Sequence, residues 1–98
     1  MSKKYFTLTG TQYYLGTDML KAGTKLVLRK EPDNKYDKEA ILVLLKEPEI
    51  AVGHVANSVY TVIDETMSAG RLYDQIGKKA KAKVVLVCDK GVIFKVKE

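Results

Sequence analysis

The feature that most constrains the fold is a short run, AILVLL at residues 40–45, with no polar position on either face. A strand of that composition needs cover on both sides, which a closed barrel or a sandwich supplies. Turn chemistry brackets it. Ahead lies Pro32-Asp33-Asn34, where proline presets the backbone and Asp and Asn accept left-handed conformations. Behind lies Lys46-Glu47-Pro48, after which residues 50–55 return as a neighbouring strand.

Further strands follow from the same signals. Tyr5-Phe6-Thr7-Leu8-Thr9 is aromatic and β-branched and is broken by Gly10. Residues 13–15 are a short apolar piece closed by Gly16, and residues 18–22 suit one helical turn ending at Gly23. Residues 24–29 alternate, with Leu26 and Leu28 on one face. The chain closes with a hairpin, residues 80–88 and 92–96 around Asp89-Lys90-Gly91. The main helix is expected to start at Asn57 as its N-cap, to bury Val59, Val62, Ile63 and Met67, and to stop at Gly70. Residues 72–76 add a second short helix. The expected class is therefore β-rich α+β: about six strands in a small barrel or sandwich, with one main helix.

At 98 residues, with 46% hydrophobic and 30% charged positions, there is room for one domain over residues 1–98 and no sign of a linker or repeat. MSKK is followed by no apolar run and no stretch is long enough to cross a bilayer, so a cytoplasmic protein without membrane contact is expected. Cys88 has no second cysteine to pair with and reads as a plain packing residue in a reducing compartment. With one histidine, one cysteine, no ligand-spaced pair and no phosphate loop, the sequence predicts no cofactor, no metal and no catalytic set. Net charge is +5, and residues 78–98 carry seven lysines against Asp89 and Glu98. These lysines read either as solvated faces of edge strands or as a phosphate-facing patch.

One segment stands apart, EPDNKYDKEAI at residues 31–41, which places Tyr36 in a polar connection between two strands. Gln12-Tyr13-Tyr14 between Gly10 and Gly16 is a second aromatic site, and Val52-Gly53-His54 is a third. In order and spacing these three pieces resemble the HIRAN domain, found beside certain DNA-repair helicase-like ATPases and as small stand-alone bacterial proteins. The second piece is the specific one.

The resemblance implies an OB-like barrel that grips the 3′ end of single-stranded DNA without catalysis, in a repair or replication-restart setting. A separately encoded helicase or repair protein is the matching partner. By similarity the nucleic-acid-binding residues are Gln12, Tyr13, Asn34, Tyr36, Asp37, His54 and Asn57. Tyrosine faces stack on bases without demanding a sequence. Asp37 suits a 3′-hydroxyl or a base N–H as donor and repels a 3′-phosphate. Helicase-attached members carry basic residues where this chain has Gln12 and Asn57, which removes two phosphate contacts. Structural readings stand beside each role: Tyr36 capping the barrel, Asp37 and Asn34 serving their own turn, His54 as a satisfied structural residue. The rival functions are a protein-interaction module using this groove or the C-terminal hairpin edge, and a metal-dependent nuclease on Asp33 and Asp37.

Overall fold

The structure, a computed structural model, describes residues 5–10, 20–56, 69–88 and 91–97. Six strands appear in it: β1 (Tyr5–Thr9), β2 (Lys25–Lys30), β3 (Ile41–Leu45), β4 (Ala51–Val55), β5 (Lys79–Cys88) and β6 (Gly91–Val96). A five-residue helix, α1 (Ala69–Tyr73), lies between β4 and β5. All pairings are antiparallel, and the sheet closes on itself in the order β1-β4-β3-β2-β5-β6. Closure leaves β3 paired on both edges, with all five of its residues buried. The barrel interior covers Ile41, Val43 and Leu45, whereas Leu42 and Leu44 lie on the outward face and are buried there as well.

Register decides which side chains face inward. Leu26 and Leu28 of β2 sit opposite Leu45 and Val43 of β3 and opposite Ala82 and Ala80 of β5, so these positions share the interior. Phe6 of β1 faces Phe94 of β6, with ring centroids 5.9 Å apart. Leu8, Ile41, Val52, Val55, Val84 and Val92 complete a continuous core. Ala69 and Leu72, three apart on α1, are buried in the same cluster, so the helix presents its apolar side to the barrel interior. Lys30 leaves the end of β2 with its ammonium 4.3 Å from the centre of the Tyr73 ring, and its backbone N–H donates to the Lys78 carbonyl at 3.0 Å. Helix and barrel are thereby joined at that end.

The six described strands fall within a residue of their expected positions, residues 13–15 lie outside the described residues, and the chain turns at Glu47-Pro48 through a cis peptide bond. Three expectations need correction. The second short helix expected at residues 72–76 is not a separate element, since α1 ends at Tyr73 and a turn follows. Gly70 lies inside α1 rather than stopping it, because burial of Ala69 and Leu72 outweighs the weak helix propensity of one glycine. Cys88 is exposed, not packed. β5 outruns its pairing with β2, which ends at Lys83, so Val85, Leu86, Val87 and Cys88 have only β6 as a described strand neighbour. The helix expected from Asn57 to Met67 lies outside the described residues. Within them no helix is long and apolar enough to cross a membrane.

Candidate nucleic-acid interface

The 31–40 connection is folded by its own side chains. The Glu31 N–H donates to the Ala40 carbonyl at 2.9 Å, which extends the β2–β3 ladder by one rung. Pro32 and Asp33 then turn the chain, closed by the Asn34 N–H on the Glu31 carbonyl at 3.0 Å. The Asn34 side-chain oxygen accepts two backbone N–H groups, from Tyr36 at 2.9 Å and from Asp37 at 3.0 Å. The Asp37 carboxylate in turn accepts the Glu39 N–H at 2.9 Å. Asn and Asp do this because their short side chains reach backbone two or three residues on. Asn34 and Asp37 end half-buried, while Tyr36 between them is 96% exposed.

His54 stands on the outer surface of β4. It is opposite Leu42 of β3 on one side and Thr9 of β1 on the other. Leu42 is in turn opposite Arg29 of β2, and directly opposed residues point to the same face. Glu31 follows Arg29 by two and shares that outward direction. His54 Nε2 donates to Glu31 Oε1 at 2.6 Å, so the pair spans β3 above the small residue Ala40. Both side chains are about one-third exposed, at 31% and 33%, and such a pair contributes up to ~1 kcal/mol. The same Glu31 oxygen lies 3.5 Å from the Asn34 amide nitrogen, a long contact that links the histidine to the loop.

Gly53 sets the distance between β1 and β4 beside this pair. A Cβ there would stand 2.5 Å from the Thr9 carbonyl oxygen and 2.8 Å from Leu8 Cδ1, and its φ of +157° is one that L residues rarely adopt. Only glycine lets β1 approach closely enough to bring Thr9 level with His54.

Of the seven residues expected at the site, Asn34 and His54 meet at Glu31, and Tyr36 and Asp37 are tied to Asn34 through their backbone N–H groups. Tyr36 does not cap the barrel; its ring stands in solvent. Asn34 and Asp37 serve the turn, bonding backbone N–H groups of their own loop. Gln12, Tyr13 and Asn57 lie outside the described residues, although β1 ends opposite His54 three positions before Gln12, and Ala56 precedes Asn57. Glu31 was missing from the expected set, and its place at the head of the segment was the only signal for it. The loop is acidic. Residues 31–40 hold Glu31, Asp33, Asp37 and Glu39 against Lys35 and Lys38, a net of −2. Among the described residues no three or more His, Cys, Asp or Glu side chains are grouped so as to hold a metal ion.

Comparison with known proteins gives two findings. The family model described as the HIRAN domain matches residues 3–88, nearly the whole chain. A crystal structure of a protein from Lactobacillus plantarum superposes with a TM-score of 0.61 at 20% identity, covering 97% of this chain and 93% of its own. At that identity it supports the barrel fold alone. No curated protein matches the sequence.

Proposed function

Because the chain belongs to the HIRAN family, whose domains are in general non-catalytic and DNA-binding, we propose that it binds single-stranded DNA and holds a free 3′-hydroxyl end in the 31–40 loop beside His54. The observation that carries this reading is Tyr36, an almost fully exposed aromatic ring on a loop whose backbone is tied by Asn34 and Asp37. A bare tyrosine on a mobile loop loses entropy on binding; one on a pre-folded turn loses less. Stacking on such a ring is worth ~1–3 kcal/mol per base and reads no sequence.

Asp37 sets the end preference. Its carboxylate accepts a hydrogen bond from a terminal 3′-hydroxyl and repels a 3′-phosphate. Glu31 orients His54 by accepting from Nε2, and the ring donates to a phosphate oxygen of the held nucleotide from Nδ1 when both nitrogens carry a proton. Tyr13 supplies the second stacking surface, and Gln12 and Asn57 add neutral hydrogen bonds where a basic residue would add charge. The protein serves repair or restart of replication, beside a separately encoded helicase or repair enzyme.

Fluorescence anisotropy with labelled oligonucleotides ending in 3′-hydroxyl or 3′-phosphate tests this. The hydroxyl end is expected to bind at least about tenfold tighter, ~1.4 kcal/mol. Equal affinity for the two ends removes end recognition; no binding of either removes DNA as the ligand. One observation favours a second reading, a protein-interaction module. Val85, Leu86 and Val87 on the β5 overhang are 37%, 49% and 37% exposed, which suits addition of a peptide strand. Binding of a protein partner that survives Tyr36→Ala with Asp37→Ala but fails with Leu86→Ser favours that reading.

A further inference from the structure

The loop assigned to the DNA end carries net negative charge, so it does not itself attract a polyanion. The chain is nevertheless +5 overall, and register shows where the excess lies. On the outer surface of β2, β5 and β6, Lys25 is opposite Lys83, and Lys83 is opposite Lys95. One step along, the Lys97 N–H donates to the Lys81 carbonyl at 2.8 Å, placing these two side by side, with Lys81 opposite Val27. A further step brings Arg29 opposite Lys79. Lys46 follows Leu45, the partner of Leu26, and so extends the row that begins at Lys25. Rows are ~7 Å apart along the strands and neighbours ~5 Å apart across them.

All of these cations therefore lie within about two Debye lengths of one another, and neighbouring ones well within a single length of ~8–10 Å. Of these cations only Lys79 has an ion pair with a described residue, Glu49 at 3.8 Å. Like charges directly opposite on a sheet are destabilising. Accordingly, the Lys97 ammonium is held below the usual lysine range by lost hydration and by Lys83, Lys25, Lys46 and Lys81. A surface that costs stability when bare is stabilised by an extended anion. The row Arg29, Leu42, His54 connects it to the loop, with Arg29 two strands, or ~10 Å, from His54.

We infer that the outer face of β2, β5 and β6 is a second contact surface, on which Lys25, Lys81, Lys83, Lys95 and Lys97 hold the phosphodiester backbone of the strand whose end sits in the 31–40 loop. The inference rests on the nucleic-acid reading above and divides its labour. The loop selects the end; the lysine face supplies affinity, length dependence and salt dependence. The regular two-dimensional array fits a linear polyanion, because a small anion reaches only two or three of its members.

The test compares the wild type, the triple variant Lys81→Gln/Lys83→Gln/Lys97→Gln and the loop variant Lys35→Gln/Lys38→Gln. Anisotropy is read with 3′-hydroxyl oligothymidylates of about four and about sixteen nucleotides, bracketing the site sizes usual for such barrels, from about 50 to about 200 mM salt. For the long strand the triple variant is expected to lower the slope of log affinity against log salt by about 2, at ~0.7 per lost contact, and to weaken binding near 0.1 M by up to about a hundredfold. The four-nucleotide strand should change by less than about threefold, and the preference for a 3′-hydroxyl over a 3′-phosphate should persist. An unchanged slope, equal losses for both lengths, or a slope lowered by the loop variant instead overturns the inference while leaving end recognition standing. A wild type blind to the 3′ group whose triple variant still loses slope retains the lysine face and sinks end recognition. Absence of binding by the wild type overturns both. Should the triple variant melt early, Lys83→Gln alone carries the test, with an expected slope change of ~0.7.

Discussion

Asn34 is a residue whose structural and functional roles are the same act. By accepting the N–H groups of Tyr36 and Asp37 it satisfies two donors and fixes the tyrosine between them. Asn34→Ala is expected to cost ~1 kcal/mol in urea unfolding, the usual loss when a side-chain cap on backbone N–H groups is removed. Tyr36 separates the two roles. Exposed as it is, Tyr36→Ala should change unfolding stability by no more than ~0.5 kcal/mol. Oligonucleotide affinity should fall by ~1–3 kcal/mol in the same variant. Loss of stability without loss of binding would mark the ring as structural. Both residues were legible in the sequence, since Pro-Asp-Asn before a tyrosine in a polar loop is turn chemistry around an aromatic. Glu31 was not, because its partner His54 is 23 positions away and nothing local joins them.

At the scale of elements, Gly53 governs how β1 meets β4. Gly53→Ala sets a methyl carbon against the Thr9 carbonyl oxygen, which is backbone and yields only if β1 moves. The expected loss is ~2 kcal/mol or more, visible as a lower melting temperature, and affinity should fall with it because Thr9 and His54 share that register. The strands themselves were readable from alternation, β-branching and turn residues. α1 runs through Gly70, where local propensity predicts a stop, because tertiary burial of Ala69 and Leu72 prevails. Cys88 is exposed where the sequence predicts packing, for a related reason. An apolar run such as VVLVC looks like core whether or not a second strand lies beside it, and only the end of β5–β2 pairing at Lys83 exposes it.

For the whole molecule, the consequence of the fold is the sorting of charge. The acidic 31–40 loop and the lysine rows of β2, β5 and β6 occupy different parts of one closed surface. Without a polyanion, the melting temperature should rise as salt goes from about 10 to about 200 mM, because screening relieves repulsion between opposed lysines as the Debye length falls from ~30 Å toward ~8 Å. The Lys81/Lys83/Lys97 triple variant should show a weaker rise in the same scan, and an equal one would count against the repulsion. By itself the sequence determined the strands, a barrel-or-sandwich class, the turn chemistry around Tyr36 and the resemblance to the family. These depend on residue type and near spacing, which the chain carries directly. Only the tertiary structure decided that Glu31 holds His54 across β3, that Gly53 admits β1, and that lysines from three strands face one another in rows. Each of those depends on cross-strand register, which is set when the sheet closes and is not contained in any one segment.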